Sequence, residues 1–284
     1  MNVLVLGVSG MLGSTVFRYF SGHGDLSVFG SARSSAVKQA FAPALRDAIV
    51  DGVDVDNADS LALLFAKVRP DLVINCIGLI KQLAEANDPL QAIPINSLLP
   101  HRLARLCSVA RARLIHVSTD CVFSGDRGNY RESDPSDARD LYGRTKYLGE
   151  VDYPHAITLR TSIIGHELAS KNGLVGWFLA QKGSIDGFAR AIFSGLPTVE
   201  LAHVMRDIVL PRPDLHGMYH VAAAPISKFA LLTLVAKSYQ KEIVIVPQSE
   251  FILDRSLDAS RFAAATGYVA PEWPELVRAM QEFA

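Results

Sequence analysis

An apolar strand that runs straight into three evenly spaced glycines, VLVLGVSGMLGS at the N-terminus, restricts this chain more than any other feature. Val3 to Leu6 form a strand-length apolar run, and Gly7, Gly10 and Gly13 follow at intervals of three. Met11, Leu12, Val16, Phe17 and Phe20 then repeat with helical spacing. Each glycine has its own job in such a strand–turn–helix. Gly7 makes the tight turn off the strand, Gly10 lets a pyrophosphate approach the backbone, and Gly13 lets the helix pack close to the sheet. The first helical turn offers N–H groups and a positive dipole end to phosphates, so Ser9, Met11 and Leu12 join the three glycines as candidate dinucleotide-binding residues.

Bulk properties narrow the class. A length of 284 residues suits one large α/β domain carrying a smaller lobe, and 49% hydrophobic residues suffice for a core without disulfides or metal. With 28 Lys and Arg against 29 Asp and Glu the net charge is −1, and no basic block stands out, which argues against nucleic acid as a partner. Cys76, Cys107 and Cys121 form no C-x-x-C pair and suit a reducing compartment. With neither a basic n-region nor an apolar run of membrane-spanning length, the expectation is a soluble cytoplasmic protein without a membrane partner.

Apolar runs at Val3–Leu6, Leu26–Phe29, Ala48–Val50, Leu72–Cys76 and Leu114–Ser118 read as buried parallel strands, with further strands at Ala156–Leu159 and Met218–Val221. Amphipathic segments at Ser60–Val68 and Leu98–Ala110 alternate with them, and Arg69-Pro70 stops the first. This βαβ pattern predicts a Rossmann-like doubly wound parallel sheet with a smaller C-terminal substrate-binding lobe. The dinucleotide-binding domain is expected over residues 1–165, with a returning segment near 206–223, and the lobe over 166–205 and 224–284. In the lobe, Thr198 caps a helix through Leu210, Ser227 caps another through Ser238, and Ile243–Val246 is a short strand. Gly267 stops a helix over Ala259–Thr266, and a final helix starts near Pro274.

The chemistry lies in two further segments. Tyr142-Gly143-Arg144-Thr145-Lys146 places a phenol and an ammonium four residues apart, on one face of a helix. A nearby ammonium favours the phenolate and lowers the tyrosine pKa from about 10, which makes tyrosine a usable acid or base near neutral pH. HVSTDCVFSG ends a buried strand in Ser118-Thr119-Asp120, putting a hydroxyl at the C-terminal edge of the sheet, where ligands of such folds bind. The glycine loop, the hydroxyl and the tyrosine–lysine helix occur in the order that short-chain dehydrogenase chemistry requires.

On these motifs the chain resembles the extended short-chain dehydrogenase/reductases that act on nucleotide sugars, most of all the dTDP-4-dehydrorhamnose reductase family. The likeness spans nearly the whole length, through GVSGMLGS, RPDLVINCIG, NSLLPHRLA, STDCVFSG, LYGRTKYLGE, LRTSIIG, SGLPTVELA and DASRFAAATGY. It implies NADPH-dependent reduction of the 4-keto group of a nucleotide-diphosphate 4-keto-6-deoxy hexose, in deoxysugar and surface-polysaccharide synthesis. Tyr142 would donate the proton to the keto oxygen, Lys146 would hold the nicotinamide ribose and tune Tyr142, and Thr119 would hydrogen-bond the same oxygen. Cys76, Ile77 and Gly78 would line the ribose and phosphates, with Asp54 and Val55 near the adenine. Lys81, Asp120, Trp177 and Phe178 are candidates to touch the substrate. The family usually carries STDYVF, and Cys121 stands in place of that tyrosine, as a small packing residue rather than a nucleophile.

Cofactor choice follows from charge. The place beyond the second strand where a carboxylate would bind the ribose 2′-hydroxyl of NAD holds Arg33, which suits a 2′-phosphate and favours NADP(H) over NAD(H). Thr119-Asp120-Cys121 lacks the glutamate that a 4,6-dehydratase would use. Two readings stay open beside the reductase: an epimerase with retained NAD, and a non-catalytic regulator resembling the β-subunit of methionine adenosyltransferase. A homodimer is open as well. His116 reads as a satisfied core histidine, and His203, His216 and His220 lack metal-ligand spacing.

Overall fold

The computed structural model describes residues 1–81, 84–169 and 172–284. Its strands, in chain order, are β1 (Asn2–Leu6), β2 (Ser27–Ser31), β3 (Ile49–Val50), β4 (Leu72–Asn75), β5 (Arg113–Thr119), β6 (Ala156–Thr161), β7 (Ile163–Ile164), β8 (Ser184–Phe193), β9 (Leu196–Pro197), β10 (Gly217–His220), β11 (Ile226–Ser227) and β12 (Val244–Asp254). Seven of them form one sheet in the order β10-β6-β5-β4-β1-β2-β3. β1 lies parallel to both β2 and β4, and β4 lies parallel to β5. The chain order therefore reverses beside β1, the switch point at which doubly wound sheets bind ligands. This is the Rossmann-like α/β fold that the alternating pattern predicts.

The chain divides into two compact units, each made of three segments: residues 1–118, 140–159 and 202–218 in the first, and 119–139, 160–201 and 219–284 in the second.

In the first unit, Val3, Leu4, Val5 and Leu6 have no exposed surface, as expected of a strand covered on both faces. On one face, Leu4, Leu6, Val73 and Leu114 pack with Leu61, Leu64 and Val68 of helix Ala58–Val68 and Leu103 and Cys107 of helix Leu99–Ala110. The first of these helices starts where the Asn57 side chain accepts from the N–H groups of Asp59 and Ser60, and ends at Arg69 in a left-handed conformation (φ 47°) just before Pro70. Helix Leu99–Ala110 is preceded by a π-helical turn, Ile93–Leu98, which the sequence periodicity does not reveal.

The second unit has a three-stranded sheet in the order β11-β8-β12, with β8 antiparallel to β11 and parallel to β12. Ser227 caps helix Lys228–Ser238 by accepting from the Ala230 N–H, and Gly267 (φ 77°) ends helix Ser260–Thr266. Both boundaries match expectation. The helix expected from Thr198 to Leu210 is α-helical only over Thr198–His203 and widens into a π-helical turn at Val204–Val209. The short strand expected at Ile243–Val246 runs on to Asp254, because its edge position tolerates Pro247 and the register shifts between Gln248 and Ile252.

Segment 119–139, expected with the first domain, belongs to the second unit. Its hydrogen bonds explain why: Tyr130 N donates to Ser256 O at 2.9 Å, Asp258 N donates to Tyr130 O at 2.8 Å, and Asn129 N donates to Ser256 Oγ at 2.8 Å. An aromatic stack adds to this. The Phe123 and Tyr130 rings lie 4.2 Å apart and 7° from parallel, with the Arg160 guanidinium 5.0 Å from the Phe123 centroid and that of Arg127 4.8 Å from the Tyr130 centroid.

Candidate active site

The three glycines of the first loop are not equivalent. Gly7 has φ 82°, and a Cβ there would meet Ile77 Cγ1 at 2.7 Å; a Cβ on Gly13 would lie 2.1 Å from the carbonyl oxygen of Gly7. The protein's own packing thus excludes side chains at both. A Cβ on Gly10 would meet only Gly7 O, at an ordinary 3.5 Å. Gly10 is exposed and caps helix Met11–Ser21 without a side-chain hydrogen bond. Among the described residues, the protein's own packing does not require glycine at that place. Ser9 is exposed beside Gly10, Met11 is half-buried, and Leu12 points into the core, which leaves its N–H as the group able to serve an anion.

Helix Leu141–Leu148 carries the tyrosine and lysine. Asp140 caps it by accepting from the Gly143 N–H at 2.8 Å. Tyr142 is half-buried, whereas Lys146 is only 6% exposed and its Nζ donates to Val117 O of β5 at 2.8 Å. Burial lowers the Lys146 pKa to about 8, against the opposing charge of Glu150. Glu150 is itself held by the Ser118 hydroxyl, which donates to its Oε1 at 2.7 Å. The π-helical turn locks this helix in place: Ser97 Oγ donates to Thr145 O at 2.9 Å, and Asn96 Nδ2 to Thr145 Oγ1 at 3.3 Å. Asn96 Oδ1 accepts from Leu79 N at 2.9 Å, which ties the segment after β4 to the same helix. A Cβ on Gly78 in that segment would lie 3.8 Å from Lys146 Nζ, so Gly78 and Lys146 are brought together. Cys76 and Ile77 are half-buried just before it, and burial pushes the Cys76 thiol up to about 12.

Thr119 ends β5 and falls in the second unit. Its Oγ1 accepts from Cys121 N at 3.1 Å and donates to Asp120 Oδ1 at 3.2 Å. Arg255 fastens the following turn, donating from Nε to Phe123 O at 2.8 Å and from Nη2 to Ser124 O at 3.2 Å, with Nη1 3.6 Å from Cys121 Sγ. The Cys121 thiol is therefore a partner within this turn, beyond the simple packing expected of it.

The other sequence candidates fall in varied surroundings. Arg33 is exposed just past β2, and Asp54 is exposed while its carboxylate accepts from Asp56 N at 3.0 Å. Val55 is a core residue, packed with Leu4 and Leu61, and presents no side chain to an adenine. Lys81 is exposed and paired with the helix-capping Asp140 at 2.5 Å. Trp177 is 39% exposed, but Phe178 has no exposed surface and packs as core, since adjacent helical residues point in different directions. His116 is fully buried with Asn75 Nδ2 3.1 Å from its Nδ1; its Nε2 has no protein partner among the described residues, so it is only half satisfied. Sequence reasoning assigned no role to Asn96, Glu150 or Arg255. Asn96 and Glu150 sit inside recognisable motifs, whereas nothing in the sequence marks Arg255.

Comparison with known proteins identifies the family. The model of the RmlD substrate binding domain family matches residues 1–282. A probable low-salt glycan biosynthesis reductase, Agl14 of Haloferax volcanii, is 32% identical over 62% of this chain and 58% of its own length, so the match spans less than two thirds of that protein. A probable dTDP-4,6-dihydroxy-2-methyloxan-3-one 4-ketoreductase of Streptomyces antibioticus is 30% identical over 79% of this chain and 72% of its own. The crystal structure of dTDP-4-dehydrorhamnose reductase from Bacillus anthracis in complex with NADP shares the fold, with TM-score 0.80, 21% identity and coverage of 99% of this chain and 98% of that one. The match over almost every residue, on a glycine loop and a tyrosine–lysine helix of the expected form, makes this chain a member of the RmlD substrate-binding-domain family.

Proposed function

We propose that the protein is an NADPH-dependent reductase of the 4-keto group of a nucleotide-linked 4-keto-6-deoxy hexose, acting in deoxysugar synthesis. The observation that carries this reading is Lys146, buried on the Val117 carbonyl one helical turn from Tyr142 and beside Gly78. An amine so desolvated, with no carboxylate bonded to its Nζ among the described residues, is unfavourable for stability alone. It serves chemistry. The names of the two relatives, both reductases, support the same reading.

The residues present fit a dinucleotide. The open space at Gly10, the uncapped N–H groups of the first helical turn and the exposed Arg33 match a pyrophosphate and a 2′-phosphate. When bound, the reduced nicotinamide supplies the hydride. Tyr142 donates its phenolic proton to the keto oxygen, and the Lys146 ammonium stabilises the phenolate left behind. Thr119 hydrogen-bonds the same oxygen as charge develops on it. The first unit is assigned to the cofactor and the second to the sugar nucleotide, with Trp177 a candidate to stack on the base.

NADPH consumption with enzymatically prepared dTDP- and UDP-linked 4-keto-6-deoxy hexoses tests the proposal. Wild type is expected to consume NADPH in step with deoxysugar formed. Tyr142→Phe is expected to bind NADPH normally but turn over about 10²–10⁴-fold more slowly, the usual contribution of a general acid. Tight cofactor binding without consumption on any keto sugar would sink the reductase reading, and near-normal turnover by the variant would remove Tyr142 as proton donor.

A further inference from the structure

A threonine hydroxyl has one hydrogen to give and two lone pairs to receive with. At Thr119 one lone pair is taken by the Cys121 N–H at 3.1 Å, and the hydrogen is taken by Asp120 Oδ1 at 3.2 Å. A substrate carbonyl oxygen offers only lone pairs. A hydroxyl whose hydrogen is committed to a carboxylate cannot stabilise negative charge on that oxygen, yet the reduction proposed above, on which this inference rests, asks Thr119 to do so.

The surroundings of Asp120 make its charge negotiable. Thr119 and Cys121 hydrogen-bond the carboxylate, and Arg255 and Lys228 are the cations whose fields reach it. The Arg255 guanidinium donates to Phe123 O, Ser124 O and Cys121 Sγ, and so holds the turn without bonding directly to the carboxylate. Burial outweighs these stabilising groups and raises the Asp120 pKa above its ordinary value, so the neutral acid forms more readily than for an exposed aspartate.

We propose that Asp120 is a positioning residue that sets the direction of the Thr119 hydrogen. Ionised, it draws that hydrogen to itself and closes the hydroxyl to substrate. Protonated, it becomes a donor whose O–H fills the second lone pair of Thr119, and the threonine's own hydrogen turns toward the reacting oxygen. The change takes up one proton from solvent and passes none to the product. The proton delivered to the sugar remains that of Tyr142.

Two measurements test this. In the first, the carboxyl-carbon resonance of Asp120 is titrated by NMR in wild type and in Thr119→Val. Loss of a hydrogen bond to the ionised form is expected to raise the Asp120 pKa by about one unit. An unchanged value overturns the proposal whether or not the protein proves to be a reductase. In the second, kcat is followed against pH for wild type and Asp120→Asn, whose amide N–H donates to Thr119 at every pH. Wild-type kcat is expected to fall by up to about 10²-fold as pH rises through the Asp120 pKa, the loss typical of one oxyanion donor. The variant should lack that fall and have an unchanged KM. Loss of kcat at every pH would mean that the carboxylate is needed ionised, and a rise in KM alone would make it a substrate contact; either overturns the proposal. Failure of wild type to reduce any keto sugar counts against the reductase reading, and the titration of Asp120 decides the proposal all the same.

Discussion

Lys146 shows at the scale of one side chain how function opposes stability. Its folded-state pKa of about 8 lies below the ordinary 10.5, so the native state holds the proton less tightly than the unfolded chain does. At neutral pH both states are protonated and the fold carries the full penalty. As pH rises from 8 toward 10.5 the native amine goes neutral first, and stability is regained. Lys146→Met, which fills the same space without charge, is therefore expected to be more stable than wild type at neutral pH by about 1–3 kcal/mol, allowing for the donor lost to Val117 O. The advantage should shrink across that window, and the variant should have almost no turnover. Urea denaturation at several pH values checks this, and a less stable variant at neutral pH would show that the ammonium is well accommodated. At the same scale the sequence was only partly legible. Tyr142, Lys146 and Thr119 stood out by type and spacing. Phe178 and Val55 did not reveal their core positions, because whether an apolar side chain faces a ligand or the interior depends on helix rotation and loop path, which a single residue does not encode.

Among elements, the glycine loop and the tyrosine–lysine helix are held by different means. The loop is fixed by absence of atoms. Gly13→Ala would drive a Cβ to within 2.1 Å of the Gly7 carbonyl oxygen, backbone against backbone, and is expected to destabilise by roughly 2–4 kcal/mol. Gly10→Ala meets ordinary contacts and should cost the fold no more than about 1 kcal/mol, while NADPH binding falls sharply. Thermal melts with cofactor titration separate the two, and equal destabilisation by both would remove the argument that Gly10 answers to a ligand. The helix is fixed instead by polar groups from the π-helical turn at Ile93–Leu98, through Asn96 and Ser97. The strands of the main sheet could be read in advance because burial on both faces leaves unbroken apolar runs. The π-helical turns could not, since one extra residue per turn hardly alters a pattern of apolar residues. β12 was read short because Pro247, Gln248, Ser249 and Glu250 look like a loop, and only an edge position makes them strand.

For the molecule as a whole, a ligand that binds only the folded state adds to its stability by mass action. NADPH at about a hundred times its Kd is expected to add about 2.7 kcal/mol and raise the Tm by about 5 °C. Arg33→Ala should lose most of that shift while the smaller one given by NADH stays the same; equal losses for both cofactors would remove Arg33 from the 2′-phosphate. The fold class was legible because alternation of strand and helix is a property of the entire chain and survives errors at any one boundary. The partition into units was less so, since residues 119–139 are assigned by hydrogen bonds to residues 255–258, more than a hundred positions away. That partition has a consequence for biosynthesis. Each unit is assembled from three segments separated by segments of the other, so the first lacks residues 202–218 until most of the chain has left the ribosome, and the second waits for the last helix. No single cut releases either unit whole, so the two must be translated together.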